Sequence, residues 1–195
     1  MKAALIIVDM MKCFFAPASD KLQTSMNLEK LSRNIRRLAD ACHLAAIPVI
    51  YVNDAFCPAE ANTEPHFKLF GVHAIKGDPL SEVIDPIAPA EKDFIVEKRM
   101  YDGFFQTRLD TVLRSLGVDT VLVTGTSTSA CVQHTVLGAW ERSYQPVVVT
   151  DAVSGTDQYD HDYALGYMAR NYGARMMSSS EALALIAGRQ ENRGA

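Results

Sequence analysis

At 195 residues, with 22% charged residues and a net charge of −4, the chain has no excess of positive charge with which to hold nucleic acid or an anionic membrane surface. Its opening MKAALIIVDM lacks a signal peptide's long apolar region and small-residue cleavage site, and no apolar stretch approaches the roughly 20 residues that span a bilayer. The length predicts a single domain over residues 1–188 with a large core, followed by a polar tail, 189–195, that frays.

In chain order, residues 3–8 form a fully apolar run, as expected of a strand covered on both faces, and the run stops at Asp9. Leu28, Leu31, Ile35, Leu38, Ala41, Cys42 and Ala45 recur at helical spacing, predicting a helix over 28–46 with Cys42 in the core. Pro48 opens a strand over 49–52. Residues 53–78, rich in Pro, Gly and His, are too long for a simple connector, and a loop of that length is usually functional. A strand over 94–96 precedes Lys98, a helix over 107–116 ends at Gly117, and a strand over 120–123 leads into a helix over 129–142. Next come a strand over 146–149, a turn at Asp151-Ala152, a helix over 160–172 and an edge strand over 175–177. The last helix, 179–187, has a serine cap. Trp140 and Met168 fit helical packing stripes, whereas His43 and His161 fall on exposed helix positions.

Strands alternating with helices predict an α/β fold: a three-layer αβα sandwich around a mainly parallel six-stranded sheet. Ligands of such sheets bind outside the carboxyl ends of the strands, which is where Asp9, Asp54, Lys98 and the turn before Cys131 fall. Cys13, Cys42, Cys57 and Cys131 show no paired spacing, which predicts reduced thiols in a cytoplasmic protein.

The stretch TGTSTSACVQHT, 124–135, is a small-residue turn between a strand and a helix. Such a turn aims free amide groups at whatever lies above the sheet, and a cysteine there feels the positive end of the helix dipole. That placement, with Lys98, predicts a depressed pKa for Cys131; the plainer reading is a buried structural thiol. Asp9, at the end of an apolar strand, would be partly desolvated with a raised pKa and could take the Cys131 proton, with Lys98 holding the charges together. The plainer readings are a strand-end cap for Asp9 and a solvated charge run for Lys98. His134 shares a helix with Cys131 but points away from the crevice, and reads as structural.

Three pieces carry a family resemblance: LIIVDM with Phe14 five residues past Asp9, EKRMYDGFFQTRLDTVLRSLGVDTVLVTG, and GTSTSACVQHT. Over residues 3–186 the chain resembles the isochorismatase-like cysteine hydrolases, which include nicotinamidases, N-carbamoylsarcosine amidases and isochorismatases. The resemblance implies a catalytic triad of Asp9, Lys98 and Cys131 and a non-proline cis peptide at Thr126–Ser127. It also implies an oxyanion hole made by the backbone amides of Ser127 and Cys131, with Thr128 supporting the turn. Phe14, Phe56 and Tyr101 are the candidates for the substrate pocket. Many relatives carry Asp-x-Gln-x-Asp-Phe, whereas this chain reads Asp9-Met10-Met11-Lys12-Cys13-Phe14 and lacks those polar contacts. Nicotinamidases hold a divalent metal through Asp-x-His and a later His. Here Asp54-Ala55-Phe56 has lost the first histidine, and His73 stands where the later one would be. His66 or Cys57 could substitute for the lost histidine, but catalytic zinc usually wants three protein ligands. No cofactor is therefore expected to be required, Asp54 and His73 are weak metal candidates, and His73 reads as a loop histidine bonded to backbone. The expected function is cysteine-dependent hydrolysis of a small-molecule amide or other C–N bond through a thioester. The alternatives are a vinyl-ether hydrolase of the isochorismatase type or a non-catalytic binder. The expected partners are a small-molecule substrate and, by the resemblance, further copies in a homodimer or homotetramer; Phe56, Phe67, Leu69 and Phe70 of the long segment offer apolar surface to cover a small pocket or meet a neighbouring subunit.

Overall fold

A computed structural model describes residues 2–16, 27–61 and 63–191. Its sheet has six strands, β1 (Ala3–Val8), β2 (Val49–Asp54), β3 (Phe94–Lys98), β4 (Thr120–Thr126), β5 (Gln145–Ser154) and β6 (Arg175–Met177). They lie in the order β3-β2-β1-β4-β5-β6, and every pair is parallel. The helices are α1 (Leu28–Leu44), α2 (His66–Phe70), α3 (Leu109–Ser115), α4 (Gln133–Glu141), α5 (Gln158–Asn171) and α6 (Ser179–Glu191).

Side chains of a strand alternate between its two faces, and β1 divides accordingly. Ala4, Ile6 and Val8 pack with Leu113 of α3, Val136 of α4 and Met168 of α5. Ala3, Leu5 and Ile7 pack with Ile35, Leu38 and Cys42 of α1 and Ile186 of α6. This is why β1 reads as a continuous apolar run: both of its faces are core, and all six residues are buried. The chain runs outward from β1 through β2 to β3, then returns beside β1 as β4 and runs outward the other way. Neighbouring loops part at that reversal and leave a crevice at the carboxyl ends of β1 and β4.

The strands outrun their apolar cores. Asp54 and Lys98 pair with each other in the β2–β3 register, so the polar ends of both strands still belong to the sheet. The turn expected at Asp151-Ala152 is instead the middle of β5, whose pairing with β4 shifts register between Val123 and Gly125. The Asp151 carboxylate accepts from the amide and hydroxyl of Ser179 at 2.6 and 2.7 Å and from Asn34 at 3.1 Å, fastening α6 and α1 to that irregularity.

Other expectations also fall. His161 is buried, and His43 is half-buried against Asp93 at 2.7 Å. Trp140 is half exposed and rests on Tyr172. Helix α6 runs to Glu191, beyond the expected end at 187, and residues 192–195 of the tail expected to fray lie outside the described ones. Cys42 and Met168 are core residues as read. No described helix is long and apolar enough to cross a membrane. The long segment after β2 closes on itself through a bridge between Phe56 and Ile75. Phe56, Phe67, Ala74, Met11, Cys13 and Phe14 make a small separate core beneath it.

Candidate active site

The site starts from a backbone reversal. Asp9, the first residue past β1, has φ of +50°, a region that Asp tolerates better than most residues. Its carboxylate Oδ1 accepts the Asp54 amide at 2.8 Å, so the ends of β1 and β2 are joined by the candidate catalytic group itself. Lys98, at the end of β3, reaches back under both strands. Its ammonium lies 2.7 Å from Asp9 Oδ2, is bonded to Asp54 Oδ1, and stands 3.4 Å from Cys131 Sγ. The side chain has no exposure at all, and the charge run in which it sits in sequence is no guide to its place in the fold. Asp9 Oδ2 is ion-paired with that ammonium and faces the Cys131 thiol, within reach of its proton. Acceptor atoms of Asp9, Asp54 and Cys131 all lie within 4.8 Å of one another.

Cys131 arrives from the other side of the crevice. After β4 the Thr126–Ser127 peptide is cis, and a π turn, Thr128–Val132, leads into α4. Ala130 and Val132 donate their amides to Ser127 O. The amide of Cys131 lies within this same first turn. Gly125, with φ of +107°, lets β4 press against β1: a Cβ there would come 2.0 Å from Val8 O. A second close approach sets the pocket wall. Gly103 donates its amide to Thr135 Oγ1 at 2.9 Å, and a Cβ at Gly103 would strike Val52 at 2.9 Å. The Tyr101–Phe104 segment therefore lies flat across α4 and β2, with Tyr101 over the crevice.

The cavity has a volume of about 200 Å³, with Asp9 and Cys131 at its floor and Phe14, Tyr101, His66 and Phe70 among its walls. Phe14 and Tyr101 stand where a substrate pocket was expected. Phe56 does not; it is fully buried in the core beneath the loop, edge-on to Phe67. Ser129 and Thr156 also line the cavity and were missed. The signal for Thr156 was its place just past the carboxyl end of β5, a position obscured by the turn expected at Asp151. His134 lies outside the cavity, its Nδ1 bonded to Ala130 O at 2.8 Å and its ring against Tyr101.

The metal candidates are differently disposed. His73 Nδ1 bonds Gly71 O at 2.8 Å, and its Nε2 is 3.9 Å from Asp54 Oδ2. His66 turns its ring onto Tyr101, and Cys57 is exposed at a different cavity. Among the described residues, the one tight group of ligand atoms is Asp9, Asp54 and Cys131, and the Lys98 ammonium already sits in it. With Phe56 in place of a ligand and Asp54 committed to Lys98, these residues do not fit a metal centre of three protein ligands.

Burial, and after it the charge of Asp54, holds the Asp9 carboxyl up at about 6, against the pull of Lys98 and Cys131. Burial likewise, followed by the Asp9 charge, pushes the Cys131 thiol well above the ordinary thiol range, and Lys98 offsets this only in part. The shift therefore runs opposite to the depressed pKa expected for Cys131: burial and the Asp9 and Asp54 carboxylates push up more than Lys98 pulls down. Burial opposes the Lys98 ammonium too, but Asp54, Asp9 and Cys131 outweigh it, and its pKa stands well above that of ordinary lysine. These directions favour carboxylate, ammonium and thiol as the resting forms.

This arrangement can be set beside known proteins. The isochorismatase domain profile matches residues 3–181. The chain belongs to the isochorismatase family. It is similar to the ureidoacrylate amidohydrolase RutB of Acinetobacter baylyi, at 29% identity over 77% of this chain and 70% of the relative. Among solved structures, the N-carbamoylsarcosine amidase of Thermoplasma acidophilum is 35% identical, over 92% of this chain and 97% of that one, with a TM-score of 0.76. The nicotinamidase/pyrazinamidase PncA of Bacillus subtilis is 26% identical, over 91% and 100%, with a TM-score of 0.83. This isochorismatase-family chain is a hydrolase.

Proposed function

We propose that the protein hydrolyses a small-molecule amide or related C–N bond through a thioester on Cys131. The observation that carries this reading is the buried Lys98 ammonium in contact with both Asp9 and Cys131 Sγ at the floor of a small, aromatic-walled cavity. Asp9 accepts the thiol proton as Sγ attacks the carbonyl carbon. The amides of Ser127 and Cys131 receive the charge that develops on oxygen. The C–N bond then breaks and Asp9 returns the proton to the leaving nitrogen. Water, deprotonated by Asp9, attacks the thioester, and the sulfur leaves with that proton. The names of the relatives above, two amidases and an amidohydrolase, support the C–N bond as target. Vinyl-ether hydrolysis needs the acid but no thiol, so a thiol placed at the floor of the cavity favours amide chemistry.

A panel of small primary amides, ureides and carbamoyl compounds assayed for ammonia release is expected to contain substrates. With any of them, Cys131→Ser should lose turnover while keeping the fold, and rapid quenching of the native protein should trap an acyl mass on Cys131. Turnover that survives in Cys131→Ser would sink the thioester route.

The acid limb of the pH profile follows from Asp9. Its carboxylate is the competent form, so kcat/KM is expected to fall as pH drops through about 6 and to lose about tenfold per unit below that. A profile flat from pH 7 to pH 5 would rule out Asp9 as the base.

No metal enters these steps, and the donor set described above supports a reaction that needs none. Exhaustive chelation is expected to leave turnover within about twofold. Loss that zinc, iron or manganese restores would show that His73 and His66 hold a metal after all.

A further inference from the structure

Thr128, the first residue of the π turn, is fully buried, and a buried hydroxyl needs a partner. Its Oγ1 lies 2.8 Å from Nδ1 of His161, one turn into α5. The helix turn that carries this imidazole is itself firmly placed. The His161 amide donates to Asp157 O, and the Asp157 carboxylate caps the same helix by accepting from Asp160 N at 3.0 Å. The ring is buried as well and does not line the cavity. On the other side of the turn, Thr126 Oγ1 donates to Ser154 O at 3.1 Å. The peptide units from Ser127 to Cys131 are thus held between the end of β5 and the start of α5, with the His161–Thr128 bond as the α5 attachment.

We infer that His161 is a positioning residue for the oxyanion site: by fixing Thr128 it orients the Ser127 and Cys131 amides without touching substrate. The inference rests on the acyl-transfer reading above. Preorganised donors act through geometry held before the charge forms, and a misplacement of about 1 Å can cost about a hundredfold in rate. The aromatic walls that hold the ground state do not depend on this bond. Loss of the bond should therefore lower kcat by about ten- to a hundredfold and leave KM within about threefold.

The test uses benzaldehyde, to which Cys131 adds. An S–C bond forms, the carbonyl π bond becomes an oxyanion facing the two amides, and the thiol proton passes to Asp9. Adduct formation is read as protection of Cys131 from iodoacetamide, followed by mass spectrometry of its peptide so that exposed Cys57 does not interfere. His161→Ala and Thr128→Val are each expected to weaken protection by about ten- to a hundredfold, and the double variant should be no worse than either single one. Alkylation without aldehyde should stay within about threefold, since it makes no oxyanion. His161→Asn, which keeps a polar atom near the Nδ1 position, and Thr128→Ser should restore most of the protection. Equal protection in the wild type and His161→Ala overturns the inference alone, as does an additive double variant. Should His161→Ala fail to fold, Thr128→Val against Thr128→Ser reads the same contact, and equal protection by that pair overturns it too. An aldehyde that gives no protection even in the wild type overturns the acyl-transfer reading and the inference with it.

Discussion

Asp9→Asn is expected to lower kcat/KM by about 10²–10⁴-fold, the range that a positioned acid–base group contributes, with His134→Ala within about threefold of wild type. Asparagine fits the space and tolerates the positive φ of position 9. It can still accept the Asp54 amide, so the fold should survive. What it cannot do is take the proton of a thiol whose own pKa is held high by burial and by its carboxylate neighbours. A site that stored a ready thiolate would suffer less from this change. The steep loss is therefore a signature of proton transfer during the reaction. Steady-state kinetics on the two variants decides the matter: near-wild-type turnover in Asp9→Asn with a dead His134→Ala would reverse the assignment of the base.

Gly125→Ala is expected to cost more than about 4 kcal/mol of stability, in the range reserved for exceptional substitutions. The added carbon would lie 2.0 Å from Val8 O and 2.7 Å from Val8 N, and these are backbone atoms of the central strand that cannot rotate aside. The φ of +107° adds strain of its own. Gly173→Ala is the comparison, because it too has a positive φ but nothing within 4 Å of the new carbon; its cost should be about 1–2 kcal/mol. Urea denaturation of both variants measures the difference, and equal losses would mean that β4 can back away from β1.

Residues 3–8 were legible as a strand because every residue of β1 is core, so the local pattern and the tertiary environment agree. The same reasoning failed at β5. Its apolar run stops at Val149, yet the strand continues to Ser154 through a register shift that depends on Asp151 meeting α6 and α1, contacts far away in sequence. Phe56 was a candidate for the substrate pocket, at the position where the resemblance puts a histidine. A side chain two residues further along a strand shares a face, but the chain has left β2 by then and the loop core claims the ring. The direction of the Cys131 shift was misread for a related reason. A helix terminus is visible in sequence, whereas the carboxylates of Asp9 and Asp54 beside the thiol come from strands more than seventy residues away. His161 gave no sequence signal, since its partner Thr128 lies on a different element.

The closed cluster around Lys98 also bears on how the reaction meets its surroundings. In the proposed mechanism the proton moves from Cys131 to Asp9, negative charge shifts from oxygen to sulfur beside the same ammonium, and the total charge inside the protein does not change. No ion has to enter or leave to balance that step, and the surrounding electrolyte sees almost the same field before and after. Screening acts over roughly 10 Å in 0.1 M salt and hardly at all on buried pairs. The proposed proton transfer is thus expected to be insulated from ionic strength, and any salt dependence of turnover would report on how substrate reaches the pocket.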